Sequence, residues 1–187
     1  MKRKCDRLPG ALLVLAMAAT TLMRPHLVMA ASAAELNRDA AAALQALYEG
    51  TPAAKELGAK AKGILVFPSI LKAGFIVGGQ YGEGALRKGG KTVAYYNTVA
   101  ASYGLQAGAQ SFGYALFFMT DSALKYLDKS DGWEIGTGPS VVIVDEGMAR
   151  ALTTTTAKDD VYAFFFSQKG LMAGLGLQGS KISKINK

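Results

Sequence analysis

The sequence predicts an α+β domain in which N-terminal helices cover one side of a strongly curved, mostly antiparallel sheet or partial barrel. Three observations carry that expectation. Alanine-rich sequence with helical periodicity comes first, over residues 35–60. From Ile64 the pattern changes to apolar runs rich in β-branched and aromatic residues, separated by glycine-containing turns. Glycines four apart then recur in three of those runs, at Gly74 and Gly78, Gly104 and Gly108, and Gly170 and Gly174. Side chains alternate along a strand, so glycines at that spacing share a face and leave it bare for a close approach.

The first residues read as an address rather than as part of the fold. Lys2, Arg3, Lys4 and Arg7 precede an apolar stretch from Gly10 to Met23, and small residues follow at Val28-Met29-Ala30 and Ala31-Ser32-Ala33. That order is the pattern of a secretory signal peptide over residues 1–33, with cleavage after Ala30 or Ala33. The expected location is therefore outside the cytoplasm: the periplasm, the outer-membrane surface or the medium. Residues 34–187 form one domain, long enough to bury a core without a metal or disulfide.

Within that domain, Leu36, Ala40, Leu44, Leu47 and Tyr48 recur at helical spacing over Glu35 to Tyr48, and Gly50 is a natural stop. Thr51-Pro52 opens a second helix to about Lys60. Ile64-Leu65-Val66-Phe67 begins the β region, with further strands expected near 74–84, 91–98, 103–109, 112–119, 141–145, 148–155, 161–167 and 171–178. Lys88-Gly89-Gly90, Asp131-Gly132 and Asp145-Glu146-Gly147 are expected reversals. One short helix is inserted near 121–129, where Thr120 can cap Asp121, Ala123, Leu124 and Leu127.

Losing residues 1–33 changes the available chemistry. The only cysteine, Cys5, and the only histidine, His26, leave with them, which removes the parts of disulfides, zinc sites and Ser-His or thiol catalysis. Five of the 21 basic and one of the 14 acidic residues also leave, so the net charge falls from +7 to +3. A mildly basic domain gives no compositional support to nucleic-acid binding.

Two motif-like stretches fail on context. Ala85-Leu86-Arg87-Lys88-Gly89-Gly90-Lys91-Thr92 loosely resembles a phosphate-binding loop, with Val141–Glu146 as its strand and carboxylates. That loop must open a helix, whereas Val93-Ala94-Tyr95-Tyr96 is a strand pattern, so a hairpin turn is expected and no nucleotide. Gly78–Gly84 lacks the spacing and βαβ setting of a dinucleotide loop. The acids Glu134, Asp145, Glu146, Asp159 and Asp160 fall in or beside turns, where they are solvated. The expectation is a protein that is not an enzyme and needs no cofactor.

Several long segments in order, VFPSILKAGFIVGGQYGEG, YGLQAG, GPS and YAFFFSQKGLMAGLGLQG, resemble the SYLF domain, the Las17-binding or actin-regulator family of lipid-binding domains. The resemblance runs from about Ala59 to Ser180. It implies a non-enzymatic module that binds anionic lipids such as phosphoinositides, and in eukaryotic members also actin. Those relatives use a basic amphipathic N-terminal segment, whereas the first helix here sets Arg38 against Glu35, Asp39 and Glu49. The membrane-inserting role is therefore not carried onto it, nor is actin binding carried onto an exported bacterial protein.

The candidate lipid-binding residues are the cations Lys60, Lys62, Lys72, Arg87, Lys88, Lys91 and Lys169, with Phe67, Ile70, Leu71 and Phe75 as apolar groups that enter the lipid. Lys72 and Lys169 precede matching glycines, and the family pattern carries lysine at both. The expected partner is an anionic phospholipid or membrane surface. The rival expectation is a scaffold or adhesion module whose glycine face binds another protein or its own copy.

Overall fold

The computed structural model describes residues 31–129, 131–152, 157–170, 177 and 179–187, with the backbone alone at 75–76, 102–107, 146–147, 151 and 170. The expected signal peptide and the strand at 171–178 lie outside the described residues, apart from the few at their ends. Helix α1 (Ala33–Gly50) starts on a capping box: Ser32 Oγ accepts from the Glu35 amide, and the Glu35 carboxylate accepts from the Ser32 amide. Leu36, Ala40, Leu44 and Leu47 form its buried stripe. Helix α2 (Pro52–Lys60) has proline in its first turn, and the backbone carbonyl of Thr51, not its hydroxyl, closes that turn. Gly58 lies against the Tyr48 ring, where a Cβ would stand 2.8 Å from Cζ.

Two very long strands follow, β1 (Gly63–Lys88) and β2 (Lys91–Phe118), paired antiparallel along their whole length. Gly89 and Gly90, both at positive φ, make the tight turn between them, as expected for Lys88-Gly89-Gly90. The ribbon does not run straight. Register shifts occur between Phe67 and Ile70, where Pro68 cannot donate to the ladder, and between Phe75 and Val77. Around that second shift the ribbon folds back on itself: a Cβ on Gly74 would stand 2.7 Å from the Val77 carbonyl oxygen, and one on Gly84 2.8 Å from that of Val66.

A short helix α3 (Asp121–Leu124), capped by Thr120, runs into a 3-10 turn (Lys125–Asp128). Then come β3 (Trp133–Glu134), β4 (Val141–Val144), helix α4 (Glu146–Ala151), β5 (Val161–Gly170) and β6 (Lys181–Ile185). Among the described residues the sheet order is β3-β6-β2-β5-β4, with β1 also on β2. All pairings are antiparallel except β4 with β5. Because β1 and β2 serve both sides of the bend, these strands act as eight segments of a strongly curled half-barrel. On one side β5 flanks the last part of β2; on the other β6 flanks the first part.

The sheet has a core on each face, which explains its nearly unbroken apolar runs. Inside the curl lie Leu65, Phe67, Ile70, Leu86, Tyr96, Tyr114, Leu116, Phe118 and Trp133. On the outside, Ile64, Val66, Ala85, Ala115, Phe117, Tyr162 and Phe164 pack under α1 and α2. Adjacent residues of Ile64-Leu65-Val66-Phe67 thus serve opposite cores.

Two expectations are corrected. The pattern predicts a strand over 148–155, but its first part belongs to the helix Glu146–Ala151, which the Asp145 carboxylate caps by accepting from the Met148 amide; residues 153–155 lie outside the described residues. The expected reversal at Asp145-Glu146-Gly147 is that helix start. No helix among the described residues is long and apolar enough to cross a membrane.

Candidate functional site

The helices cover only part of the outer face. At the bend that face is open, and the odd positions of β1 point into solvent there: Leu71 is 54% exposed, Val77 57% and Tyr81 47%. Ala73 and Gly79 between them are exposed as well. Directly opposite on β2 stand Val99, 46% exposed and paired with Tyr81, Ala101 paired with Gly79, and Ala109 paired with Ala73. Opposed residues of an antiparallel pair share a face, with side chains about 5 Å apart. Among the described residues the result is an apolar stripe flanking the bend, with Leu71, Ala73 and Ala109 on one side and Val77, Gly79, Tyr81, Val99 and Ala101 on the other.

Cations stand at its rim. Leu71 pairs with Ser111, and Ser111 pairs with Lys169 of β5. Tyr81 pairs with Val99, and Val99 pairs with Lys181 of β6. Register puts each lysine on the same face as its apolar row, two strands away, and both are exposed.

Lys72 does not join them. Its partner is Gln110, whose next partner is Gly170, so the Lys72 row faces the inside of the curl, opposite to Lys169. This interior is polar near the bend: Gln80 donates to Ser180 Oγ at 3.0 Å, and Tyr114 donates to Thr98 at 3.1 Å. Full burial pushes the Tyr114 phenol well above the ordinary tyrosine range, so it stays a neutral donor. The other cations gather at the far end of the ribbon. Lys88 pairs with Lys91 across the turn, Arg87 donates to the Gly90 carbonyl at 2.6 Å, and Gly63, next to Lys62, approaches the Leu86 side chain. Lys60 closes α2 close by in sequence.

Of the four expected lipid-entering groups, Phe67 and Ile70 are wholly buried inside the curl, which corrects their assignment. The bulge at Pro68 shifts the alternation, turning Ile70 inward and Leu71 outward. The Phe75 side chain lies outside the described residues. Sequence reasoning missed Val77, Tyr81, Val99 and Lys181. Their alternation with Lys72, Gly78 and Gln80 was available, but the register that aligns Lys181 with Val99 was not.

One end of the stripe is tied down by a clasp. Lys187 Nζ lies 2.6 Å from Glu83 Oε2 and 2.7 Å from the Ala31 carbonyl, and Tyr81 donates to Glu83 Oε1 at 2.9 Å. The Lys187 and Glu83 side chains are only 8% and 11% exposed. Burial, and then the bond to Glu83, raises the Tyr81 phenol above its ordinary range. The clasp leaves no net charge beside the apolar residues.

Two clefts lie elsewhere. One, of about 690 Å³, lies between the α1–α2 junction and α4, lined by Pro52, Glu56 and Arg150. The other, of about 440 Å³, lies beside β4 and is lined by Gly138, Ile143 and Leu177. No group of three His, Cys, Asp or Glu able to hold a metal occurs among the described residues.

No curated protein matches the chain significantly. The family model Ysc84, described as Las17-binding protein actin regulator, matches residues 99–187. That stretch includes β2 from Val99 onward, β5, β6 and both rim lysines, while Leu71, Val77 and Tyr81 lie upstream of it. Residues 99–187 are thus similar to the Ysc84, or SYLF, family, in agreement with the resemblance that the sequence motifs carry.

Proposed function

We propose that this is a non-enzymatic module that binds anionic phospholipid at a membrane surface, through the outer face of the ribbon bend. The observation that carries this reading is the open apolar stripe with a lysine at the rim of each of two rows. A bilayer interface offers what such a face lacks: hydrocarbon for Leu71, Val77 and Val99, and phosphate for Lys169 and Lys181. Tyr81, with an apolar ring and a polar tip, suits the boundary between them. Each lysine near an anionic surface contributes about 1 kcal/mol, and each buried aliphatic side chain about 1.5–3 kcal/mol. Insertion of three such side chains is thus the larger contribution, and the two lysines supply the preference for anionic lipid. The family description is of binding and actin regulation, which supports a binding role. Phosphoinositide-like headgroups are the ligand class implied by the resemblance. An exported protein would meet its lipid in the periplasm or at the outer surface.

Co-sedimentation with vesicles tests the reading. Binding to phosphatidylglycerol-containing vesicles is expected, weaker binding to phosphatidylcholine, and decline with salt as the screening length falls from about 10 Å at 0.1 M to about 3 Å at 1 M. Equal binding to both vesicle types, or none, refutes the proposal. A solution mass that rises with protein concentration, without vesicle binding, would favour the stripe as a contact between copies.

A further inference from the structure

We propose that the chain is processed at the Ala30–Ala31 peptide bond, so that the folded domain begins at Ala31. The sequence offers two bonds to a signal peptidase, after Ala30 and after Ala33, each preceded by small residues. The fold distinguishes them, because residues 31 and 32 lie between the two bonds and both are used. The Ala31 carbonyl accepts from Lys187 Nζ at 2.7 Å, and Ala31 packs against the core under α1. Ser32 Oγ accepts from the Glu35 amide at 3.2 Å, its own amide donates to Glu35 Oε2 at 2.9 Å, and its carbonyl receives the first helical bond from Leu36 at 2.9 Å. Cleavage after Ala33 would discard the whole capping box and one of the two acceptors of a nearly buried ammonium.

Hydrolysis adds one water across the bond, leaving a carboxylate on Ala30 and an ammonium on Ala31. A new cation at a helix N-terminus is unfavourable on its own, because that end of the helix is already positive. Here the Glu35 carboxylate, bonded to the neighbouring Ser32 amide, offsets it, while Glu83 is already neutralised by Lys187. This proposal is independent of the lipid reading.

The test uses the full chain expressed in a host with secretory export, followed by intact mass and N-terminal sequencing of the recovered protein. The expected start is Ala31-Ser32-Ala33; a start at Ala34, or retained Met1, overturns the proposal. Ala30→Leu places a bulky residue directly before the bond and is expected to abolish the Ala31 start, while Ala33→Leu is expected to keep it. The reverse pattern, with Ala33→Leu blocking processing and Ala30→Leu not, also overturns it.

Discussion

Gly84 shows what a single missing Cβ does in this ribbon. A Cβ there would stand 2.6 Å from the Phe67 ring and 2.8 Å from the Val66 carbonyl, and one on Gly82 2.8 Å from the Ser69 carbonyl. Backbone cannot yield as a flexible side chain does. Gly84→Ala and Gly82→Ala are each expected to cost about 1–3 kcal/mol by overpacking. At Gly79 the nearest atom is 3.8 Å away, and Gly79→Ala is expected to be tolerated. Trp133, the only tryptophan and 1% exposed, reports unfolding, so thermal melts by its fluorescence rank the three variants. Drops of several degrees are expected for the first two, since 1 kcal/mol is worth roughly 2–4 °C in a domain of this size. The bare face was legible in the sequence, but its occupant was not. At Gly82 and Gly84 the occupant is the sheet itself, which packs back on its own ribbon. The first two glycine segments do lie side by side, with Gly74 paired to Gly108. That adjacency depends on two register shifts that no local residue pattern displays.

Helix α1 is the element whose sequence and structure agree most fully, because one face and both ends are locally determined. Ser32→Ala is expected to lose about 0.5–2 kcal/mol. The Ser32 amide, and then its hydroxyl, lower the Glu35 carboxyl below the ordinary glutamate range. A depressed folded-state value means the carboxylate's contribution is present above the unfolded pKa and is lost as pH falls through the folded one. The penalty of Ser32→Ala should therefore be smaller at about pH 3 than at about pH 7, as denaturant titration at both would show. A constant penalty would mean that Glu35 adds nothing to the cap. Elements with ambiguous local signals fared worse. Met148 to Leu152 has no strong periodicity, and the Asp145 cap decides for helix. The short β runs between Ile64 and Phe118 are two strands, because their glycines bend the ribbon without ending it.

At the scale of the whole molecule, curling the ribbon sorts the basic residues into groups that their order along the chain does not reveal. Lys169 and Lys181 stand at the rim of the apolar stripe, Lys72 faces inward, and Lys88 and Lys91 sit at the distal turn. Lys88 lies seven residues past Tyr81, about 23 Å at the rise of a strand and beyond the screening length at physiological salt. If all seven candidate cations formed one patch, every charge reversal would matter. Docking by the bend makes position decisive. Lys169→Glu with Lys181→Glu is expected to weaken binding to anionic vesicles by at least about 2 kcal/mol, roughly thirtyfold. Lys88→Glu with Lys91→Glu makes the same change in net charge and is expected to leave affinity within about threefold. Val77→Ser, a neutral change on the stripe, is expected to reduce binding to neutral and anionic vesicles alike, since it removes insertion rather than attraction. Equal losses from the two charge-reversed pairs would show that net charge, not the bend, drives association, and the docking face would have to be sought elsewhere on the domain.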